Sequence, residues 1–355
     1  GVTVPGGERS VKNRMGKGHT MHTVGIALLG VGTVGSAVAR MLQDDREALA
    51  RRTGLRIDVR WGLARRTERV VAAGLPERAA TTLLEPILED PDVAVVVEAM
   101  GGEEPAATYM KRALQAGKHV VTANKEALAK HFAELAAAAR AAGRALLFEA
   151  SVGGGIPLMA SLRQILSVNR VTRIRGIVNG TTNYILTRMA ERGTAYAEAL
   201  REAQRLGYAE PDPTADVEGY DAVYKLAVLA SLAAGRHIPP ERVDRTGITG
   251  VTPEQVAEAR ARGGAIKLIA SAELDGEEWR LRVAPEFVPG DHLLAHVRLN
   301  FNAVEITGER VGPVVLYGQG AGPLPTASAI VSDILDAARF GAALTPHIVP
   351  QMSRT

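Results

Sequence analysis

The sequence predicts an α/β fold in two parts, a doubly wound parallel sheet followed by a second, α+β domain. Three observations carry this reading. An apolar strand, the glycine turn "GVGTVG" and a helix open the chain from Thr23 onward. Short apolar runs then alternate with helical patterns to about residue 149, as expected of a parallel sheet covered by helices on both faces. Beyond "EASVGGGIP", helices mix instead with segments of alternating polarity. With 355 residues, 46% hydrophobic and 23% charged, the chain can fill two ordinary cores.

Residues 1–20 stand apart. Glycine-rich and basic, without an apolar run, they read as a disordered or added leader rather than a secretory signal, with Met21 as the expected natural start. Arg9, Lys12, Arg14 and Lys17 against Glu8 account for the formal net charge of +3, which leaves the rest of the chain formally neutral. That balance offers no nucleic-acid footprint. No stretch approaches the ~18 consecutive apolar residues of a membrane span, so no membrane association is expected and the expected location is cytoplasmic. The absence of cysteine removes disulfides, thiolate nucleophiles and cysteine-ligated zinc. Eight histidines without HExxH or similar spacing suggest no transition-metal site.

The first unit, residues 21–149, opens as a Rossmann-type dinucleotide-binding domain. Gly30 makes the tight turn, Gly32 lets the backbone approach a pyrophosphate and Gly35 lets the helix pack close. Thr33 and Val34 lie at the helix N-terminus, where free amides suit phosphate oxygens. The helix is expected to continue to about Gly54. Strands follow at "LRIDVRWGLA", "VAVVVEAMGG", "HVVTAN" and "RALLFEA", separated by helical stretches. Ligands bind at the carboxyl ends of such strands, which places Gly101, Gly102, Thr122 and Lys125 in the cleft.

The second strand ends in Arg65 and Arg66, with no carboxylate at its tip to accept bonds from a ribose 2′-hydroxyl. Two guanidinium groups suit a 2′-phosphate, so NADP(H) is the expected cofactor, with NAD(H) usable but poorer. Arg65 lies 33 residues beyond Gly32, farther than the usual ~20, and the long first helix with its loop accounts for the difference. The alternative is a surface pair of arginines.

The second unit, residues 150–317, is expected to bind substrate and to dimerise. Helices at about 156–167, 180–191, 195–206 and 216–235 mix with "VTRIRGIV", "EEWRLRVAP", "HLLAHVRLNF" and "VGPVVLYG", which suggests a largely antiparallel or mixed sheet. Residues 318–348 supply a last glycine turn and a helix expected to pack back on the nucleotide unit. Within the second unit, "GYAEPDPTADVEGYDAVYK" sets Glu210, Asp212, Asp216, Glu218 and Asp221 ahead of Lys225. A solvated acidic loop is the alternative, but Pro211 and Pro213 stiffen the segment. Asp221 and Lys225, four apart, then share a face of a largely apolar helix, where buried charges need partners.

Taken in order, "GVGTVG", "TANK", "FEASVGGGIP", "NGTTNYI", "GYAEPDP" and "GAGPLPTASAIVSDI" resemble homoserine dehydrogenase from Met21 to about Arg339. The resemblance implies hydride exchange between a nicotinamide cofactor and the pair L-aspartate 4-semialdehyde and L-homoserine, in threonine, methionine and isoleucine biosynthesis. It implies that Glu210 and Asp216 hold the amino-acid end of the substrate, that Asp221 and Lys225 sit at the reacting oxygen, and that Thr181, Gly180 and Gly322 line the site. Lys125 would stand beside nicotinamide and substrate, and Gly320 on the cofactor. A monovalent cation, Na+ or K+, would take the Glu149 carboxylate and the main-chain carbonyls of Val152, Gly154 and Ile156. The family resemblance and the apolar strands after Leu293 suggest a homodimer.

The family commonly carries a C-terminal ACT-type domain and sometimes an N-terminal aspartate kinase. This sequence shows neither, which puts threonine feedback through such a domain in doubt. Two other readings stay open at this point. A different amino-acid or semialdehyde dehydrogenase would keep the glycine motif without needing the carboxylates around Lys225. A non-catalytic dinucleotide sensor would need no lysine pair in its cleft.

Overall fold

The computed structural model describes residues 21–348, so the reading of residues 1–20 lies outside the described residues. Twelve strands are labelled β1 (His22–Leu29), β2 (Leu55–Leu63), β3 (Ala80–Thr81), β4 (Val93–Glu98), β5 (His119–Thr122), β6 (Leu146–Leu147), β7 (Val171–Ile177), β8 (Val243–Arg245), β9 (Gly264–Asp275), β10 (Glu278–Pro289), β11 (Phe301–Gly308) and β12 (Gly312–Gln319). The helices of the first half are α1 (Thr33–Asp44), α2 (Arg46–Thr53), α3 (Glu68–Ala72), α4 (Glu85–Glu89), α5 (Ala106–Gln115) and α6 (Lys125–Ala142). Those of the second half are α7 (Leu158–Leu166), α8 (Gly180–Arg192), α9 (Tyr196–Arg205), α10 (Thr214–Val217), α11 (Tyr220–Ala234), α12 (Pro253–Ala261) and α13 (Pro323–Phe340).

The first sheet runs β3-β2-β1-β4-β5-β6, all parallel. Ile26, Leu28, Val95, Val97 and Val121 feed one core, while Ala27, Leu29, Val96 and Val120 feed another, so the central strands are buried on both faces and are apolar up to their carboxyl ends. The order reverses between β1 and β4. Their carboxyl ends, at Gly30 and at Met100–Gly102, therefore open the crevice where such sheets bind ligands. The expected first helix is in fact two, α1 and α2, joined at Asp45 and stopped by Gly54 at φ 74°.

The second sheet runs β12-β11-β7-β9-β10-β8 and is mixed, with only the β8–β10 pair parallel. Helices α8, α11 and α12 pack against it. Two sequence expectations fail here. The helix expected over 216–235 is α10 followed by α11, because Gly219 takes φ 86° between them. The stretch 292–301 is largely a 3-10 turn over Leu293–His296, with Leu299 at φ 54°, rather than a strand. Its apolar residues Leu294 and Val297 cover the end of the sheet, against Ile177, Ile269 and Val288, instead of pairing along it.

Helix α13 returns to the first half, where Ala327, Ile330 and Ile334 share a core with Val38 and Leu42 of α1. Its Asp333 accepts the backbone amide of Glu149 at 2.7 Å. Among the described residues, no helix is long and apolar enough to cross a membrane.

Candidate active site

The glycine turn after β1 has the shape of a dinucleotide cradle. Gly30 sits at φ 93°, and a β-carbon on Gly35 would fall 2.0 Å from the Gly30 carbonyl oxygen, so both positions demand glycine. Nothing lies within 4 Å of a β-carbon built on Gly32, which leaves that backbone open to a phosphate. Thr33 is exposed and Val34 half-buried at the start of α1, whose first amides face the same space. Gly101 and Gly102, at φ 75° and 72°, form a second open turn after β4. The Gly30 amide donates to the Leu63 carbonyl at 2.9 Å, so the end of β2 lies against the cradle. Arg65 and Arg66 follow directly, exposed and without an ion-pair partner among the described residues. The residues present fit a dinucleotide.

Across the crevice stands a buried charge cluster. Lys225 Nζ donates to Asp221 Oδ2 at 2.6 Å and to the Val178 carbonyl at 2.9 Å. Lys125 Nζ, from the first residue of α6, reaches Asp221 Oδ1 at 3.1 Å. Asp221 is 7% exposed, Lys225 12% and Lys125 41%, so the carboxylate is deep and Lys125 faces the opening. Burial alone would raise the Asp221 pKa, but the two ammonium groups outweigh it and hold the carboxyl well below its usual range. In return Asp221 holds Lys125 above the ordinary lysine value. Asp216 moves the other way, raised by burial and then by the Asp221 charge.

Asn179, absent from the sequence-derived site residues, ties the carboxylates together. Its amide donates to Asp216 Oδ1 at 2.7 Å and to Asp221 Oδ2 at 2.9 Å, while its oxygen accepts Thr182 N at 2.8 Å and caps α8. The signal was its place in "NGTTN", an asparagine between an apolar strand and a helix. Gly180 begins α8 under the Asn300 carbonyl, and Thr181 bonds the Tyr208 carbonyl and lies beside Asp216.

Only two of the five carboxylates in the acidic segment reach this cluster. Glu210 is exposed, and its carboxylate has no partner among the described residues. Asp212 bonds Thr214 locally, and Glu218 faces Arg245 at 3.9 Å. Loop residues ahead of α10 stay with their own turn, so the expected ring of five is a pair. Thr122 ends β5 with its side chain fully buried, its hydroxyl turned into the protein to donate to Glu98 at 2.7 Å.

The turn expected to hold a cation is braced by helix amides. Glu149 Oε1 and Oε2 accept the amides of Met159 and Ala160 at 2.8 and 3.0 Å, capping α7. The Ile156 carbonyl accepts Leu158 N at 2.7 Å. Each Glu149 oxygen accepts one amide and keeps a further lone pair, with the carbonyls of Val152 and Gly154 in the turn that follows. The same turn packs against the last glycine turn, where a β-carbon on Gly154 would lie 2.5 Å from the Gly320 carbonyl carbon. Gly320 in turn covers Asn302, whose buried amide has no hydrogen-bond partner among the described residues. Gly322, at φ 106°, stands exposed at the head of α13.

A homoserine dehydrogenase NAD-binding domain model matches residues 30–149, and a homoserine dehydrogenase model matches residues 157–335. The chain belongs to the homoserine dehydrogenase family. The homoserine dehydrogenase of Bacillus subtilis is 43% identical over 315 residues, covering 89% of this chain and 73% of that protein. That of Mycobacterium tuberculosis is 47% identical over 321 residues, 89% of this chain and 72% of its own length. Among solved structures, the homoserine dehydrogenase of Thiobacillus denitrificans superposes with a TM-score of 0.87 at 42% identity, covering 92% of this chain and 77% of that one. A hyperthermophilic archaeal homoserine dehydrogenase in complex with NADPH gives 0.74 at 29% identity, covering 89% and 98%. As a homoserine dehydrogenase, the chain interconverts L-aspartate 4-semialdehyde and L-homoserine with a nicotinamide cofactor, a step of amino-acid biosynthesis.

Proposed function

We propose that this enzyme prefers NADP(H) and that Lys225, Lys125 and Asp221 carry the proton and charge chemistry of its reaction. The observation that carries the proposal is the Asp221 carboxylate, which joins a lysine of the nucleotide-binding half to a lysine of the second half at the mouth of the crevice. When bound, the nicotinamide supplies or accepts the hydride. Negative charge then grows on the aldehyde oxygen, and a donor within hydrogen-bond reach must meet it. Lys225 has three N–H groups, of which Asp221 and Val178 take two. The third is free for the substrate oxygen, to which it gives a proton on reduction and from which it takes one back on oxidation.

Lys125 stabilises the same developing charge from the opposite wall, and its partner Asp221 keeps it protonated through the neutral range. The substrate ammonium needs a carboxylate, and Asp216, half-buried beside Thr181, is the one in the cluster that is not already bonded to a lysine. Glu210 would join from the rim only if its loop closes over bound substrate. For the cofactor, the unpaired Arg65 and Arg66 beside the glycine cradle suit a 2′-phosphate. The NADPH bound to the archaeal relative supports that preference. The open edge strand β12, with Tyr317 exposed and stacked on Phe301, supports a homodimer built on the second sheet.

Absorbance at 340 nm with homoserine and each oxidised cofactor tests the proposal. The expected result is turnover with both and a higher kcat/KM with NADP. A higher value with NAD would remove the assigned role of the two arginines.

A further inference from the structure

We infer that Glu98 is a positioning residue that locks the Gly101–Gly102 turn and Lys125 into one unit. The inference rests on the reading of Lys125 given above. Glu98 ends β4 with its side chain fully buried. Its Oε1 accepts the amides of Met100 at 2.8 Å and Gly101 at 3.2 Å and the Asn124 side chain at 3.4 Å, and its Oε2 accepts the Thr122 hydroxyl at 2.7 Å. All four partners are donors. An ionised carboxylate is acceptor-only and satisfies all four together, although burial pushes the Glu98 pKa up against these bonds.

The bonds continue outward from Glu98 on two branches. Thr122 accepts the Asn124 amide at 3.0 Å on the same oxygen that donates to Glu98. Asn124 donates to the Gly102 carbonyl at 2.7 Å, and its own oxygen accepts Ala127 N at 3.0 Å to cap α6. The next residue is Lys125, whose ammonium crosses the crevice to Asp221. One carboxylate therefore fixes the glycine turn on one side and the start of α6 on the other. The backbone at Gly101 and Gly102 is conformationally permissive, so its shape depends on such bonds.

Glutamine at this position has the same shape but one acceptor fewer: an Nε2 at the Oε1 position would face three N–H donors, and at the Oε2 position it would force the Thr122 hydroxyl to turn from donor to acceptor. Glu98→Gln and the milder Thr122→Val both break the hub in the full-length enzyme. Three readouts separate positioning from mere stability: kcat, NADPH affinity by fluorescence, and the rate at which an amine-reactive reagent labels Lys125, followed by mass spectrometry. Both variants are expected to lose ~10-fold or more in kcat, the scale of a small misplacement of a reacting group. NADPH should bind more weakly, and Lys125 should label several-fold faster once its contact with Asp221 loosens. Thr122→Ser, which keeps the hydroxyl, should restore slow labelling. A carboxylate that serves stability alone would lower Tm in Glu98→Gln and leave labelling and kcat as in the wild type, and that result overturns the inference. Should Lys125→Ala keep full turnover, the catalytic reading of Lys125 fails, and the labelling rates alone then decide the positioning role of Glu98.

Discussion

Asp221 receives Lys225 at 2.6 Å on one oxygen and leaves its other oxygen to Lys125 at 3.1 Å, so a single buried carboxylate orients both ammonium groups of the crevice. Loss of either lysine leaves Asp221 partnered, whereas loss of Asp221 strands both lysines. Lys225→Ala should lower kcat by ~10² or more while NADPH affinity changes little, because the general acid–base is lost and the glycine cradle is not touched. Asp221→Ala should lower kcat in the same direction. It should also cost roughly 3–5 kcal/mol of stability, since the Lys225 ammonium stays buried without its counter-charge. Stopped-flow turnover and urea unfolding of the two variants check this pair, and near-wild-type turnover in folded Lys225→Ala would move the chemistry to Lys125.

Cofactor choice should depend on the turn after β2. Arg65→Ala with Arg66→Ala is expected to raise KM for NADP and leave KM for NAD nearly unchanged, because only NADP carries the 2′-phosphate. Steady-state kinetics with both cofactors decide it. An unaltered NADP/NAD ratio would make the arginines an ordinary solvated pair.

The glycines of the first turn should respond differently to the same change. At Gly35 a β-carbon would strike the Gly30 carbonyl oxygen at 2.0 Å, so Gly35→Ala should destabilise the fold by ~1–3 kcal/mol as well as weaken the cofactor. At Gly32 a β-carbon meets nothing within 4 Å. Gly32→Ala should therefore keep its Tm and lose cofactor affinity alone. Thermal melts with NADPH titrations separate the two cases.

Lys267 gives a pH prediction away from the cleft. It is 3% exposed, donating to the Asn183 side chain at 3.2 Å and the Val297 carbonyl at 2.5 Å, both neutral acceptors. Burial lowers its pKa to about 8, with Glu191 opposing and Arg298 assisting. Its folded value lies below the unfolded one, so between about pH 8 and the ordinary lysine value of ~10.4 the unfolded chain binds more protons, and stability rises with pH. Urea midpoints at pH 7.5 and pH 10 should show this rise in the wild type and lack it in Lys267→Met. A parallel change in both proteins would assign the effect to other groups.

Much of the fold was readable along the chain because its signals are local. A strand, a glycine turn and a helix are consecutive in sequence, and Gly30, Gly32 and Gly35 declare their backbone needs by residue type alone. The fully apolar runs of β1 and β4 likewise state that both faces are covered. Where the local pattern was ambiguous, the reading slipped. Leu293, Ala295, Val297 and Leu299 alternate as in a strand, yet the segment turns and caps a sheet end, and Gly219 breaks a helix that apolar periodicity alone would continue.

What the sequence by itself determined about this protein was its cofactor cradle, its two-part α/β plan and the helical spacing of Asp221 and Lys225. Tertiary structure alone decided which charges meet. Lys125 stands 96 residues before Asp221, yet shares its carboxylate because α6 and α11 pack side by side. Glu210 lies only 11 residues before Asp221 and stays in solvent. Charge pairing depends on distance and desolvation, which the packing of elements sets and linear spacing does not. The same holds for Glu149, which faces helix amides brought to it by α7, and for Glu98, whose four donors come from two different strand ends.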